Sequence, residues 1–176
     1  MKILITGDSF SANNNGWPNM LDVDFDNRSQ NGVGEYKIYK QLQNYENYEK
    51  IIVCHTSPYR LHTPYHPIHH KKSERSENDF IFADVEYHSK NNKEMNLVHK
   101  YIQKFYDFEY QKFVYNLIVK EIMKIPNTIH ITFHNRDDTN IIPNNLSKIW
   151  ESNTGQINHM NDKGNQETAQ TIKKLL

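Results

Sequence analysis

The 176-residue chain has a single cysteine, Cys54, which excludes an internal disulfide and any zinc cluster built on cysteine. Net charge is missing too. With 21 Lys+Arg against 21 Asp+Glu, a nucleic-acid binder held by phosphate neutralisation is not expected. No apolar run approaches the ~20 residues that cross a bilayer. The apolar stretch after Lys2 ends by Thr6-Gly7, so neither a membrane span nor a signal peptide is expected, and the anticipated setting is a reducing, cytoplasmic one. Alanine occurs three times and arginine four times, whereas asparagine occurs 22 times, a bias that an A/T-rich coding sequence produces. Hydrophobic residues make up only 36% and mean hydropathy is −0.86, below the usual ~45–50% apolar share. The 12% aromatics restore core area at ~150–250 Å² per buried ring. The same shortage of apolar residues is compatible with loose loops or with a homodimer.

What is present reads as one domain over residues 1–176. Lys2-Ile-Leu-Ile-Thr6 is a buried strand opening into the turn Gly7-Asp8-Ser9. Trp17 to Leu21 opens a short helix with Pro18 near its first position, and a second short strand is expected within residues 22–27. After the glycine turn Asn31-Gly32-Val33-Gly34, Ile38, Leu42 and Tyr45 follow at helical spacing. Lys50 to Cys54 is the next apolar strand and ends in His55-Thr56-Ser57-Pro58. Strand, turn and helix alternate as in an open α/β sheet whose ligand site lies at the strand C-termini. Residues 61–92 interrupt that rhythm with Pro64, Pro67 and five of the ten histidines, and read as an insertion or lid. From Glu94 to Lys124 the spacing predicts one amphipathic helix, or two broken near Asp107. In it the Tyr and Phe of residues 101–115 are expected in the core or on a helix face. Thr128 to Phe133 is a further strand, residues 134–155 are irregular, and Gly164 to Leu176 is a closing helix.

Two positions invite chemistry. Ser9 follows a buried strand in a turn leading to a helix, where a hydroxyl at the sheet edge suits nucleophilic attack with backbone N–H groups near the developing oxyanion. The lipase-type elbow is absent, because Gly7-Asp8-Ser9-Phe10-Ser11 lacks its second glycine. Taken alone, such a turn more often caps a helix. His159 sits in the loop before the last helix, where an imidazole can reach back over the sheet edge as a general base.

Together these blocks resemble the SGNH (GDSL-type) esterases and lipases. Gly7-Asp8-Ser9-Phe10 is similar to the first block of that family, and His159-Met-Asn-Asp-Lys-Gly164 to its last. Gly32 is similar to the second-block glycine, whose N–H lines the oxyanion hole. The blocks run from end to end of the chain in the family's order. The resemblance implies a three-layer α/β/α flavodoxin-like sandwich with a parallel sheet of four or five strands. It also implies a serine ester hydrolase that needs no cofactor and no metal, with Ser9 and His159 catalytic and a small-molecule or glycan ester as substrate.

Two departures bear on that expectation. The third block, normally Gly-x-Asn-Asp, is here His55-Thr56-Ser57-Pro58-Tyr59-Arg60, resembling a variant found in phage-like members. It puts Ser57 at the place of the oxyanion-binding Asn, with Thr56 and Arg60 as candidate substrate contacts. A serine hydroxyl still has one hydrogen to donate. The family's Asp, three residues before the His, is replaced by Gln156. An amide can orient the ring but cannot stabilise imidazolium as a carboxylate does. A Ser–His dyad, a degenerate triad or a non-catalytic binding module on the same fold therefore all remain open. A metal enzyme built on His55, His62, His66, His69 and His70 is the competing reading, although the stretch lacks the His-Glu-x-x-His arrangement of zinc hydrolases. Cys54, in an apolar strand, is expected to pack and not to react.

Overall fold

The computed structural model describes residues 1–69, 78–134, 140–155 and 159–176. Its centre is a five-stranded parallel sheet formed by β1 (Lys2–Gly7), β2 (Asp24–Asn27), β3 (Lys50–His55), β6 (Thr128–Thr132) and β7 (Asn144–Asn145), in the order β2-β1-β3-β6-β7. The order reverses between β1 and β3, the point where doubly wound sheets open a crevice at their strand ends. A separate antiparallel pair joins β4 (Arg60–Leu61) to β5 (Phe80–Ile81).

Alternation along each strand separates two cores. Ile3 and Ile5 of β1, with Ile52, Cys54, Ile129 and Ile131, face Trp17, Leu21, Ala169 and Ile172. The helices on that side are α1 (Ser9–Ala12), α6 (Ser147–Ser152) and α7 (Asp162–Lys173). Leu4, Ile51 and Val53 face the other way, onto Val33, Ile38, Leu42 and Ile122. That layer is built by α2 (Glu35–Gln41) and α5 (Phe108–Ile122), preceded by α3 (Phe82–Ser89) and α4 (Lys93–Phe105). The architecture is thus an α/β sheet covered on both faces.

The expected break near Asp107 is an N-cap, with the Asp107 carboxylate accepting the Tyr110 N–H at 3.0 Å. The short helix at Trp17–Met20 is a 3₁₀ turn. The interval 61–92 is partly structured, since it carries the end of β4 and all of β5 and α3, and its Phe80 and Val85 form a satellite core with Met95 of α4. Two short elements, β7 and α6, lie where the sequence read as irregular. Of the Tyr and Phe of residues 101–115, Tyr115 lies in the core, buried by α5 with Val119 and Ile122, whereas Tyr101, Phe105, Phe108, Tyr110 and Phe113 are 46–72% exposed and stay outside it. Among the described residues no helix is long and apolar enough to cross a membrane.

Candidate active site

The turn after β1 is shaped by Gly7. At φ +155 its α-carbon lies so close to β3 that an added Cβ would stand 2.7 Å from the Cys54 Cβ and 2.8 Å from the Cys54 carbonyl oxygen, so a side chain is excluded. Asp8 then caps α1, its Oδ1 accepting the Phe10 N–H at 3.1 Å. Ser9 is the first residue of α1, partly exposed at the C-terminal edge of the sheet.

The Asp8 carboxylate is wholly buried, and a buried charge needs partners. Thr56 Oγ1 donates to its Oδ2 at 2.8 Å and Arg60 Nη2 at 2.7 Å, while Arg60 Nη1 donates to the Val33 carbonyl at 2.7 Å. These contacts change the reading of two expected substrate residues. Thr56 is fully buried with its hydroxyl given to Asp8, and only 9% of the Arg60 side chain is exposed. Both brace the serine turn from beneath. Ser57 is partly exposed and accepts the Tyr59 N–H at a long 3.4 Å, which leaves its own O–H able to donate. With Gly34, Glu35, Tyr36, Arg60 and His62 it lines a pocket of about 430 Å³.

Gly32 has φ +72, the left-handed region, and a Cβ there would meet the Asn78 side chain at 2.7 Å. Its turn is clamped by Asp79, whose N–H donates to the Gly32 carbonyl at 3.0 Å and whose Oδ2 accepts the Gly34 N–H at 2.6 Å. Lys37 completes the clamp with a buried ion pair to Asp79 at 3.0 Å. The glycine turn and the serine turn are joined through Arg60, which bridges Val33 and Asp8.

His159 is carried by the loop before α7. Asn161 caps that helix, accepting the Gly164 N–H at 3.0 Å, and a Cβ on Gly164 would crowd Asn153 at 2.8 Å. The His159 carbonyl accepts the Gly155 N–H at 2.6 Å. Two bonds relate this loop to the start of the chain: Asn165 of α7 accepts the Trp17 N–H, and the Trp17 indole donates to the Phe10 carbonyl, each at 2.9 Å. The result is a ring–ring contact of 5.6 Å between Phe10, the neighbour of Ser9, and His159. Phe10 also stacks on Phe133 at 4.8 Å and meets His134 and Trp150 edge-on at 5.9 and 5.5 Å. The ends of the chain are therefore brought to one edge of the sheet. Gln156 lies outside the described residues.

A second constellation escaped the sequence reading. The buried Glu35 Oε1 meets His55 Nδ1 at 2.6 Å, its Oε2 accepts the Thr56 N–H at 3.2 Å, and His55 Nε2 meets His130 Nδ1 at 3.0 Å. Burial above all, and next the charge of His55, pushes His130 down to about 4. His55 is thus tied into a polar relay under α5, where the Tyr115 hydroxyl donates to the Thr56 carbonyl at 3.0 Å. His62 pairs with Asp79 at 3.2 Å. The histidines expected to gather in one place are divided among three, and His70 lies outside the described residues. Burial raises the Cys54 thiol well above its ordinary range, in keeping with inert packing.

Compared with known proteins, the chain matches no protein-family model and shows no significant match among curated proteins.

Proposed function

We propose that the protein is a serine ester hydrolase of the SGNH type, removing an acyl group from a carbohydrate or similar ester. One observation carries this reading: Ser9 opens α1 at the switch point of the parallel sheet, and the His159 ring packs 5.6 Å from the ring of the next residue, Phe10. Ser9 Oγ attacks the acyl carbon while His159 accepts its proton. The oxyanion is met by the Ser9 and Gly32 N–H groups and by the Ser57 hydroxyl. His159 then passes the proton to the leaving alcohol, and water clears the acyl-enzyme. No step calls for a cofactor. The buried Asp8–Arg60–Val33 bridge supports the reading, because it fixes the serine and glycine turns relative to each other.

Turnover of p-nitrophenyl acetate is the test. The parent protein is expected to hydrolyse it and Ser9→Ala to fall to the buffer rate; equal turnover by the two would end the assignment. A non-catalytic module of the same fold is the second reading. Its support is that the 430 Å³ pocket is lined by Ser57 and Arg60 among the described residues, without Ser9 or His159. It predicts glycan binding by a protein that hydrolyses nothing.

A further inference from the structure

Away from the serine turn, three histidine side chains of the inserted segment converge on one carboxylate. Asp84 of α3 receives His69 Nε2 at 3.2 Å from Oδ2 and 3.3 Å from Oδ1. His88, one helical turn along α3, brings Nε2 to 3.4 Å from Oδ1, and His66 brings Nε2 to 3.4 Å from Oδ2. His66, His69 and Asp84 each place a donor atom within 4.8 Å of the other two. The three imidazoles hold Asp84 below its ordinary range against the opposing effect of burial.

We infer that this cluster is a site for a divalent cation of the zinc class, with His69, His88 and Asp84 as ligands. Ligands at ~2.0–2.1 Å in a tetrahedral array stand ~3.3–3.4 Å apart. The separations of 3.3 and 3.4 Å from Asp84 Oδ1 to His69 and His88 match that edge. Two imidazoles and a carboxylate suit Zn²⁺, Co²⁺ or Ni²⁺ better than Ca²⁺ or Mg²⁺, which take oxygen donors. Side-chain exposures of 20% for His69, 26% for Asp84 and 28% for His88 leave a path from solvent and a position for water.

His66 has a different part. Its Nδ1 accepts the N–H groups of Ile68 and His69, both at 3.3 Å, so the proton of the neutral ring sits on Nε2, facing Asp84. Buried between Phe80 at 5.0 Å and His69 at 4.6 Å, it is a positioning residue whose Nε2 stands 3.4 Å from Oδ2 of the ligating carboxylate. The bound cation staples the turn at residues 66–69 onto α3, and with it the β4–β5 pair that carries Arg60 to the serine turn.

Titration of the metal-stripped full chain with Zn²⁺ by calorimetry, and with Co²⁺ by visible absorption, tests the site. The expected result is one equivalent bound and four-coordinate ligand-field bands. His69→Ala, His88→Ala and the near-isosteric Asp84→Asn are each expected to weaken binding at least 100-fold, and His99→Ala, partly exposed on α4, to leave it unchanged. His66→Ala is expected to cost ~10–100-fold, with His66→Gln restoring most of it because the amide still donates. Far-UV circular dichroism confirms that each variant is folded, and Zn²⁺ should raise the Tm of the parent but not of Asp84→Asn. Absence of one-equivalent binding, or binding of equal strength in His69→Ala and Asp84→Asn, overturns the inference.

Discussion

His130 ties stability to pH in a way that can be calculated. Its imidazole is buried against His55 and titrates near 4 instead of 6.5. A folded-state value below the unfolded one means that the unfolded chain binds a proton first. The contribution is therefore fully present above about pH 6.5, falls as the pH drops, and levels off below about 4. Across that interval it amounts to ~3 kcal/mol at ~1.36 kcal/mol per pH unit, most of it gone by pH 4.5. That is a large part of the ~5–15 kcal/mol that holds a domain folded. Other groups titrate as well, so the clean quantity is a double difference. Urea unfolding of the parent and of His130→Gln at pH 7.0 and pH 4.5 supplies it, because Gln keeps an amide beside His55 Nε2 but carries no titrating group. The parent is expected to lose about 2–3 kcal/mol more than the variant between the two pH values. Parallel losses would show that His130 is not held neutral by its surroundings.

Further outcomes follow from the bracing of the site. Arg60→Met leaves the buried Asp8 carboxylate without its cation and is expected to cost about 3–5 kcal/mol in urea unfolding; a stability near that of the parent together with a raised KM would return Arg60 to the substrate. Ser57→Ala removes one donor from the proposed oxyanion hole and should lower kcat about 10²–10³-fold with p-nitrophenyl acetate. An unchanged kcat would take Ser57 out of the hole.

The strands were legible because parallel strands covered on both faces read as unbroken apolar runs, as Ile3-Leu4-Ile5 and Ile51-Ile52-Val53 do. Asp107 was legible as a break because a carboxylate there caps the following helix. Periodicity alone could not say which face of α5 would be covered: Tyr115 and Val119 are buried, whereas Phe108 and Phe113 stand at 50% and 59% exposure. The Ser9 and His159 turns announced themselves by glycines that prove to be sterically required, at Gly7 and Gly164. The partners of Asp8 did not, since the demand of a buried carboxylate shows only when β1 and β3 lie side by side. Glu35, His55 and His130 are 20 and 75 residues apart in successive steps and meet through the pairing of β3 with β6. Asp84 escaped notice for the same reason: it reaches the His66–His69 turn only by folding.

Covalent labelling bears most directly on whether Ser9 is a nucleophile. A fluorophosphonate probe incubated with the folded protein, followed by peptide mass spectrometry, should place the adduct on Ser9 and on no other serine, with labelling abolished in Ser9→Ala and strongly slowed in His159→Ala. A folded protein that hydrolyses no ester and leaves Ser9 unmodified under conditions that label a control serine esterase would contradict the account.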